Sequence, residues 1–251
     1  MCKRRIHSCL RILFAICAAV LLCAASAMAQ MPDKFTNLQV LPKDISKKDL
    51  MSIMRGFSFS LGVRCEHCHV QTPDKKTDFP LDDKDEKKTA RLMLRMVTGI
   101  NGDYISKLSK PSPVKVECVT CHHGLARPIP LNAVLAETIE KKDVSAAVAQ
   151  YKELKTKYFG GGQYDFGETR LNILIEALMA QNKNKEAVAI AELNREENKP
   201  VAMWSYHLLA MSHAANGEHE KYVQDLRNVV EQHPDDKWAK EELAKLDDVK
   251  K

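Results

Sequence analysis

Apolar residues recur at helical spacing along most of the chain. Ser46 and Asp49 form an S-x-x-D pattern typical of a helix start, and apolar residues follow at helical intervals as far as Leu61. A second stretch, from Ala90 to Tyr104, has one apolar face of the same kind. The pattern predicts a mainly α protein with two amphipathic helices in its N-terminal half.

The C-terminal half has a different organisation. We predict amphipathic helices there at residues 132–141, 143–158, 167–181, 185–197, 201–215, 218–232 and 236–247. Asn182 and Asn216 lie 34 residues apart, as do Pro200 and Pro234. This is the period of tetratricopeptide (TPR) repeats, so we predict helical hairpins of TPR type whose concave surface binds a protein. The alternative is an irregular helical bundle that only supports the N-terminal half.

Two short segments repeat one chemical motif. Residues 65–69 read Cys-Glu-His-Cys-His, and residues 118–122 read Cys-Val-Thr-Cys-His. Each is C-x-x-C-H, the attachment motif of a c-type haem, in which two cysteines form thioethers and the adjacent histidine binds the iron. The sequence therefore predicts two covalently attached haem c groups. The attachment residues are Cys65, Cys68, Cys118 and Cys121, and the iron ligands are His69 and His122.

The use of cysteine favours haem over its rivals. The chain has eight cysteines; four lie in the first 29 residues and the other four in the two motifs. A zinc site with four cysteine ligands would use the same residues, but it does not explain a histidine after each pair, and the gap between the pairs is too long for a compact ribbon. A thioredoxin-like C-x-x-C needs only one copy and a strand-helix setting.

Each motif follows a helix that carries methionine. Met54 lies on the apolar face before the first motif, and Met51 is one step off that face. Met93 and Met96 both precede the second motif on the next helix. A methionine on an apolar face often fills a core, but its thioether is also a candidate sixth ligand of a haem iron.

The stretch from about residue 41 to 130 resembles the cytochrome c subunit of photosynthetic reaction centres. The resemblance is carried by Gly62–Val70, by Lys87–Met93 with Met96-Val97, and by Cys118–Gly124 with Pro128. In that family a helix lies over each haem, and a methionine on it binds the iron whose motif follows. The resemblance therefore implies Met54 as a ligand of the first haem iron and Met96 as a ligand of the second.

Two departures from that family limit what the resemblance implies. Its photosynthetic members carry four haems as two pairs, whereas this chain has one pair of motifs. They also lack a counterpart of the C-terminal half. The resemblance implies a haem module, and it leaves the process that the module serves undecided.

The N-terminus predicts export. Residues 1–29 combine four basic residues, an apolar run over residues 10–25 and an Ala-Met-Ala cleavage site, which is typical of a secretory signal. An uncleaved anchor is the alternative, but the run is shorter than the roughly 20 residues that span a bilayer. Removing the segment reduces the formal net charge of +5 to +1, since 34 basic residues then face 33 acidic ones. The charge therefore predicts no nucleic-acid partner.

An acidic cluster and four further histidines are less favoured as ligands. The acidic cluster before the second helix could bind calcium, but we predict that it is a solvated loop that leads into the helix, with acidic residues in the first helical turn. The cluster comprises Asp82, Asp83, Asp85 and Glu86. His67 and His123, in and beside the motifs, are predicted to contact solvent or haem propionates. His207 and His213 are predicted to be core or surface residues of the repeats.

Together these features predict three regions: a signal peptide at 1–29, a dihaem cytochrome c domain at 30–130 and a TPR-like domain at 131–251. The predicted function is extracytoplasmic electron transfer between a redox donor and acceptor, in the periplasm or at a membrane through a partner complex. The alternatives are a dihaem peroxidase-like enzyme, which needs an open iron position, and a haem-bearing scaffold or sensor.

Overall fold

The computed structural model describes residues 34–74, 76–108, 114–199 and 202–248. The predicted signal peptide at 1–29 lies outside these residues. The described chain is mainly α, with ten α-helices and one pair of two-residue strands, which confirms the predicted fold class. None of the helices in these ranges has both the length and the apolarity needed to cross a bilayer.

The chain divides into two compact units. The first contains the residues up to Phe59 and Val63–Cys118; the second contains Ser60–Gly62 and the residues from Val119 onward. The first unit begins with α1, Lys47–Leu61, whose last two residues fall in the second unit. The Ser46 hydroxyl accepts from the Asp49 amide at 3.1 Å, so the predicted cap is present.

The rest of the first unit follows the first motif. A 3-10 turn at Cys65–His67 leads into an antiparallel strand pair, β1 (Val70–Gln71) and β2 (Thr77–Asp78), in which Val70 faces Asp78. The second long helix, α2, spans Asp85–Gly99 and continues as a π-helical turn at Ile100–Tyr104 and a 3-10 turn at Ile105–Lys107. The second motif forms a short helix, α3, at Cys118–His122.

Seven helices make up most of the second unit. They are α4 (Leu131–Lys141), α5 (Val144–Tyr158), α6 (Glu168–Ala180), α7 (Asn184–Glu197), α8 (Met203–Ala215), α9 (His219–Gln232) and α10 (Lys237–Asp248). Their ends lie within two residues of those predicted from the sequence.

These helices stack as hairpins around two clusters of buried residues. Consecutive helices pack as α4–α5, α6–α7, α7–α8, α8–α9 and α9–α10, while α4 also packs on α6, α5 on α7, and α6 on α8. The core residues that join them include Leu135, Tyr151, Ile175, Ile190 and Leu208. This is the contact pattern of a repeat stack, although the TPR type itself stays a prediction.

The turns after α6 and α8 are aligned differently from the sequence prediction. Asn182 and Gly217 both adopt the left-handed conformation, with φ of 58° and 77°, in the turns after α6 and α8. The next residue in each turn donates its amide hydrogen to the equivalent carbonyl, Lys183 to Leu178 and Glu218 to His213. The structural equivalent of Asn182 is therefore Gly217, 35 residues later, and the pairing of Asn182 with Asn216 at 34 residues is wrong by one.

Two histidines of the second unit are buried beside carboxylates. His207 Nε2 lies 2.7 Å from an oxygen of Asp236, and His213 Nδ1 lies 2.5 Å from an oxygen of Asp225. The prediction that both belong to the repeat helices is confirmed. Among the described residues, no cluster of three or more histidine, cysteine or acidic side chains is arranged to hold a metal ion.

Candidate haem-binding site

The first C-x-x-C-H motif is a single helical turn. The amides of Cys68 and His69 both donate to the Cys65 carbonyl, at 3.2 and 3.0 Å. Residues three apart in such a turn lie on one side of it, so the backbone directs both cysteines toward one edge of a porphyrin. None of the four motif cysteines forms a disulfide.

His69 is half-buried beside an aromatic ring. Its ring meets that of Phe79 edge-on, with centroids 5.0 Å apart. Burial and the nearby charge of Lys87 lower the pKa of His69, which favours the neutral imidazole that binds metals. Its Nδ1 atom is buried without a hydrogen-bond partner.

The loop that carries Phe79 is held by a buried lysine. Lys87 is 8% exposed, and its ammonium group donates to the carbonyls of Phe79, Pro80 and Leu81 at 2.7, 2.9 and 2.8 Å. It also lies 2.8 Å from the carboxylate of Asp82. Nothing in the local sequence distinguishes Lys87 from the charged residues around it, so sequence reasoning missed its role.

Asp82 corrects the prediction of a solvated acidic loop. Arg91 donates a hydrogen bond to each of its carboxylate oxygens, at 2.8 and 2.9 Å. These hydrogen bonds, together with the one from Lys87, hold the pKa of Asp82 well below its usual range. Its carboxylate therefore belongs to an ion-pair network around a buried cation. Asp85 and Glu86 do lie in the first turn of α2, as predicted.

The second motif lies on α3. Cys118 and Cys121 are three residues apart and share one side of this helix. His122 follows directly, and its Nδ1 lies 2.7 Å from the Leu125 carbonyl. Since a carbonyl only accepts, this contact places the imidazole proton on Nδ1 and leaves the Nε2 lone pair for a metal.

An asparagine joins the end of α2 to the entry of the second motif. The Asn101 side chain donates to the Val116 carbonyl at 2.8 Å and accepts from the Val116 amide at 2.9 Å. It also donates to the Val97 carbonyl at 3.0 Å, one residue beyond Met96. The helix that bears Met96 is thus tied to the backbone two residues before Cys118.

Two glycines meet in the second unit. The Gly124 amide donates to the Ser60 carbonyl at 2.9 Å, and Gly62 has a φ of 66°. A Cβ on Gly62 would lie 2.1 Å from the Gly124 carbonyl oxygen. The end of α1, just before the first motif, therefore touches the backbone just after His122.

The structure places the candidate methionines on α1 and α2. Met54 is half-buried, as is Met51, while Met96 is 46% exposed and Met93 half-buried. Phe59 and Leu92, on the same two helices, are 79% and 59% exposed. Large apolar side chains in such positions are suited to being covered by a hydrophobic group.

The other two histidines near the motifs have no special environment. His67 is half-buried within the first motif, and His123 is exposed with a φ of 48°.

The residues present fit haem c: the cysteine pairs lie in helical turns, the two proximal histidines have an environment suited to iron, and apolar surface remains uncovered on α1 and α2.

Comparison with known proteins agrees with this geometry. Residues 28–140 match the sequence model of the family described as the photosynthetic reaction centre cytochrome C subunit. This part of the chain is similar to that family. The match confirms the resemblance carried by the motifs and supports a cytochrome of the c type, in which haem c is attached covalently.

Two known cytochromes are similar to part of the chain. Cytochrome c-554 of Chloroflexus aurantiacus is 33% identical over 102 residues, which covers 40% of this chain and 23% of the relative. The photosynthetic reaction center cytochrome c subunit of Rubrivivax gelatinosus is 29% identical over 115 residues, covering 38% of this chain and 31% of the relative. The chain thus spans less than a third of either relative. No solved structure matches it.

Proposed function

We propose that the mature protein is an extracytoplasmic dihaem cytochrome c that carries electrons between redox partners. The observation that carries this proposal is the second motif, where Cys118, Cys121 and His122 share one helical turn and Leu125 fixes the histidine tautomer. The first motif supplies the same residue types in an equivalent turn. Each turn therefore offers two thioether sites and one iron ligand.

The proposed axial ligands leave no iron position open. His69 and Met54 would bind the first iron, and His122 and Met96 the second. Bound haem supplies a one-electron change between ferrous and ferric iron, and methionine ligation raises its reduction potential. With both positions occupied, the protein binds no substrate at iron, so it transfers electrons and is not an enzyme.

The C-terminal helices would provide the docking surface. We assign residues 1–29 to a cleaved signal peptide, 30–130 to the dihaem domain and 131–251 to a TPR-like domain that binds a protein. The donor and acceptor are redox proteins, and the name of the Rubrivivax relative favours a membrane electron-transfer complex as one of them. The protein would then lie in the periplasm or be held at a membrane by its partner.

Haem stoichiometry tests the proposal. The full chain is expressed in a host that attaches c-type haem, and its intact mass and visible spectra are measured. We expect two haems on a chain that begins at Gln30, with low-spin spectra. The paired variants Cys65→Ser/Cys68→Ser and Cys118→Ser/Cys121→Ser should each retain one haem. A protein with bound zinc and no haem would refute the proposal, and one high-spin haem would favour a peroxidase-like enzyme.

Single methionine variants test the axial ligands. Met54→Ala and Met96→Ala should each remove the methionine–iron charge-transfer band of one haem and lower its potential, because the sulfur ligand is lost. Met51→Ala and Met93→Ala are matched controls on the same helices and should leave both bands intact. Loss of a band in a control variant would move the assignment to that residue.

A further inference from the structure

We propose that Lys87 and Asp82 are positioning residues for the first haem and set its reduction potential in opposite directions. This inference rests on the proposed attachment of haem at Cys65 and Cys68 and on its ligation by His69. Both residues lie outside the C-x-x-C-H motif, and neither touches a motif cysteine.

The first step is the burial of the cation. Lysine is seldom buried without partners, and Lys87 has four oxygens within 2.9 Å of its ammonium nitrogen. An ammonium group has three hydrogens to donate, so its donor capacity is fully used. The segment from Phe79 to Asp82 is wrapped around this charge, and its shape depends on it.

The second step is the attachment of this segment from its other side. Arg91 holds Asp82 with two hydrogen bonds and reaches the Asn37 carbonyl at 3.4 Å. The Asn37 side chain donates to the Pro80 carbonyl at 2.5 Å, and Gln39 donates to Asp82 at 3.1 Å. The segment is therefore fixed by charged groups on one side and by the chain before α1 on the other.

The third step links this segment to the iron ligand. Phe79, the first residue of the segment, packs its ring edge-on against His69. The side chains that fix the segment therefore also fix the orientation of the imidazole. Lys84, just before α2, adds a further attachment by donating to the Glu66 carbonyl inside the motif.

The fourth step is electrostatic. A positive charge near a haem disfavours the ferric state, which carries one more positive charge than the ferrous state, and so raises the potential; a negative charge lowers it. Lys87 lies close to His69, because its ammonium group donates to the Phe79 carbonyl and the Phe79 ring packs against the His69 ring. An iron bound to His69 would therefore lie in the field of this charge.

Three variants of the haem-loaded full chain test the inference by spectroelectrochemical titration. Lys87→Gln should lower the potential of one haem, which means a several-fold fall in its reduced-to-oxidised ratio at fixed ambient potential. Asp82→Asn should raise the potential of the same haem. Lys88→Gln is the control, because it removes the same charge from the next residue, whose side chain is exposed and paired with Asp85. It should change neither potential measurably.

The outcomes separate the inference from its alternatives. Shifts of the same sign in Lys87→Gln and Asp82→Asn would mean disrupted packing alone and would overturn it, as would equal shifts in Lys87→Gln and the control. If Lys87→Gln loses haem, the sign in Asp82→Asn decides. The affected haem must also be the one that loses its charge-transfer band in Met54→Ala. Absence of the first haem from the unmodified protein would instead refute the proposed function.

Discussion

Gly62→Ala probes the close contact between the end of α1 and the residues after the second motif. Gly62 has a φ of 66°, which an alanine adopts only with strain, and its Cβ would lie 2.1 Å from the Gly124 carbonyl oxygen. No real Cβ tolerates that distance, so the Gly124 backbone must move. That movement strains the hydrogen bond from the Gly124 amide to the Ser60 carbonyl, now 2.9 Å long.

The expected loss can be worked from these parts. The left-handed conformation costs an alanine about 1 kcal/mol. Overpacking against backbone adds about 1–3 kcal/mol, and a weakened hydrogen bond about 1 kcal/mol. We expect Gly62→Ala to lower the free energy of unfolding by about 3–5 kcal/mol, as the sum of these effects.

Gly56→Ala, within the helix that ends just before Gly62, is the matched control. Nothing lies within 4 Å of the position its Cβ would take, and its backbone is helical. Alanine is favoured over glycine there by about 1 kcal/mol, so this variant should be slightly more stable than the unmodified protein. Urea unfolding of the haem-loaded protein, followed by far-ultraviolet circular dichroism, measures both. A loss in Gly62→Ala of less than about 1 kcal/mol would contradict the contact.

Two further variants test single polar side chains. Asn101→Ala should destabilise the protein by about 2 kcal/mol, because it removes two hydrogen bonds to Val116; denaturant unfolding measures the loss. Asp236→Asn should make the free energy of unfolding depend less on pH in the acid range. Burial raises the pKa of Asp236, but the Ala239 amide and His207 outweigh this effect and leave it lowered. The stability that Asp236 contributes is present above the ordinary pKa of about 4 and is lost as the pH falls through the folded-state value, so unfolding must be measured from neutral pH downward.

Each of these variants has a control nearby. Thr98→Ala removes an exposed hydroxyl that bonds only the Leu94 carbonyl of its own helix, and it should cost less than Asn101→Ala. Equal losses would show that the Asn101 contacts add nothing beyond helix propensity. Asp235→Asn changes an exposed carboxylate next to Asp236. If it reduced the loss of stability in acid as much as Asp236→Asn does, the buried contact between Asp236 and His207 would not be the source of that loss.

The helices and the two motifs could be predicted from the sequence alone, because both depend on residues that are close together along the chain. Helix ends in the C-terminal half follow from amphipathic periodicity, and the observed helices begin and end within two residues of the predicted ones. The C-x-x-C-H spacing is equally local, because reach along one helical turn determines which atoms meet a porphyrin edge. The alignment of one turn was wrong by one residue, because two asparagines that match in sequence, Asn182 and Asn216, are not equivalent in the turns.

Only the tertiary structure decided the surroundings of those motifs. Lys87 reads as one of many charged residues in its stretch, yet folding buries it against carbonyls six to eight positions away. Gly62 and Gly124 lie far apart along the chain, and no local pattern indicates that their backbones touch. A motif depends on neighbours within one turn, whereas the burial of a charge or the approach of two backbones depends on segments that only the folded chain brings together.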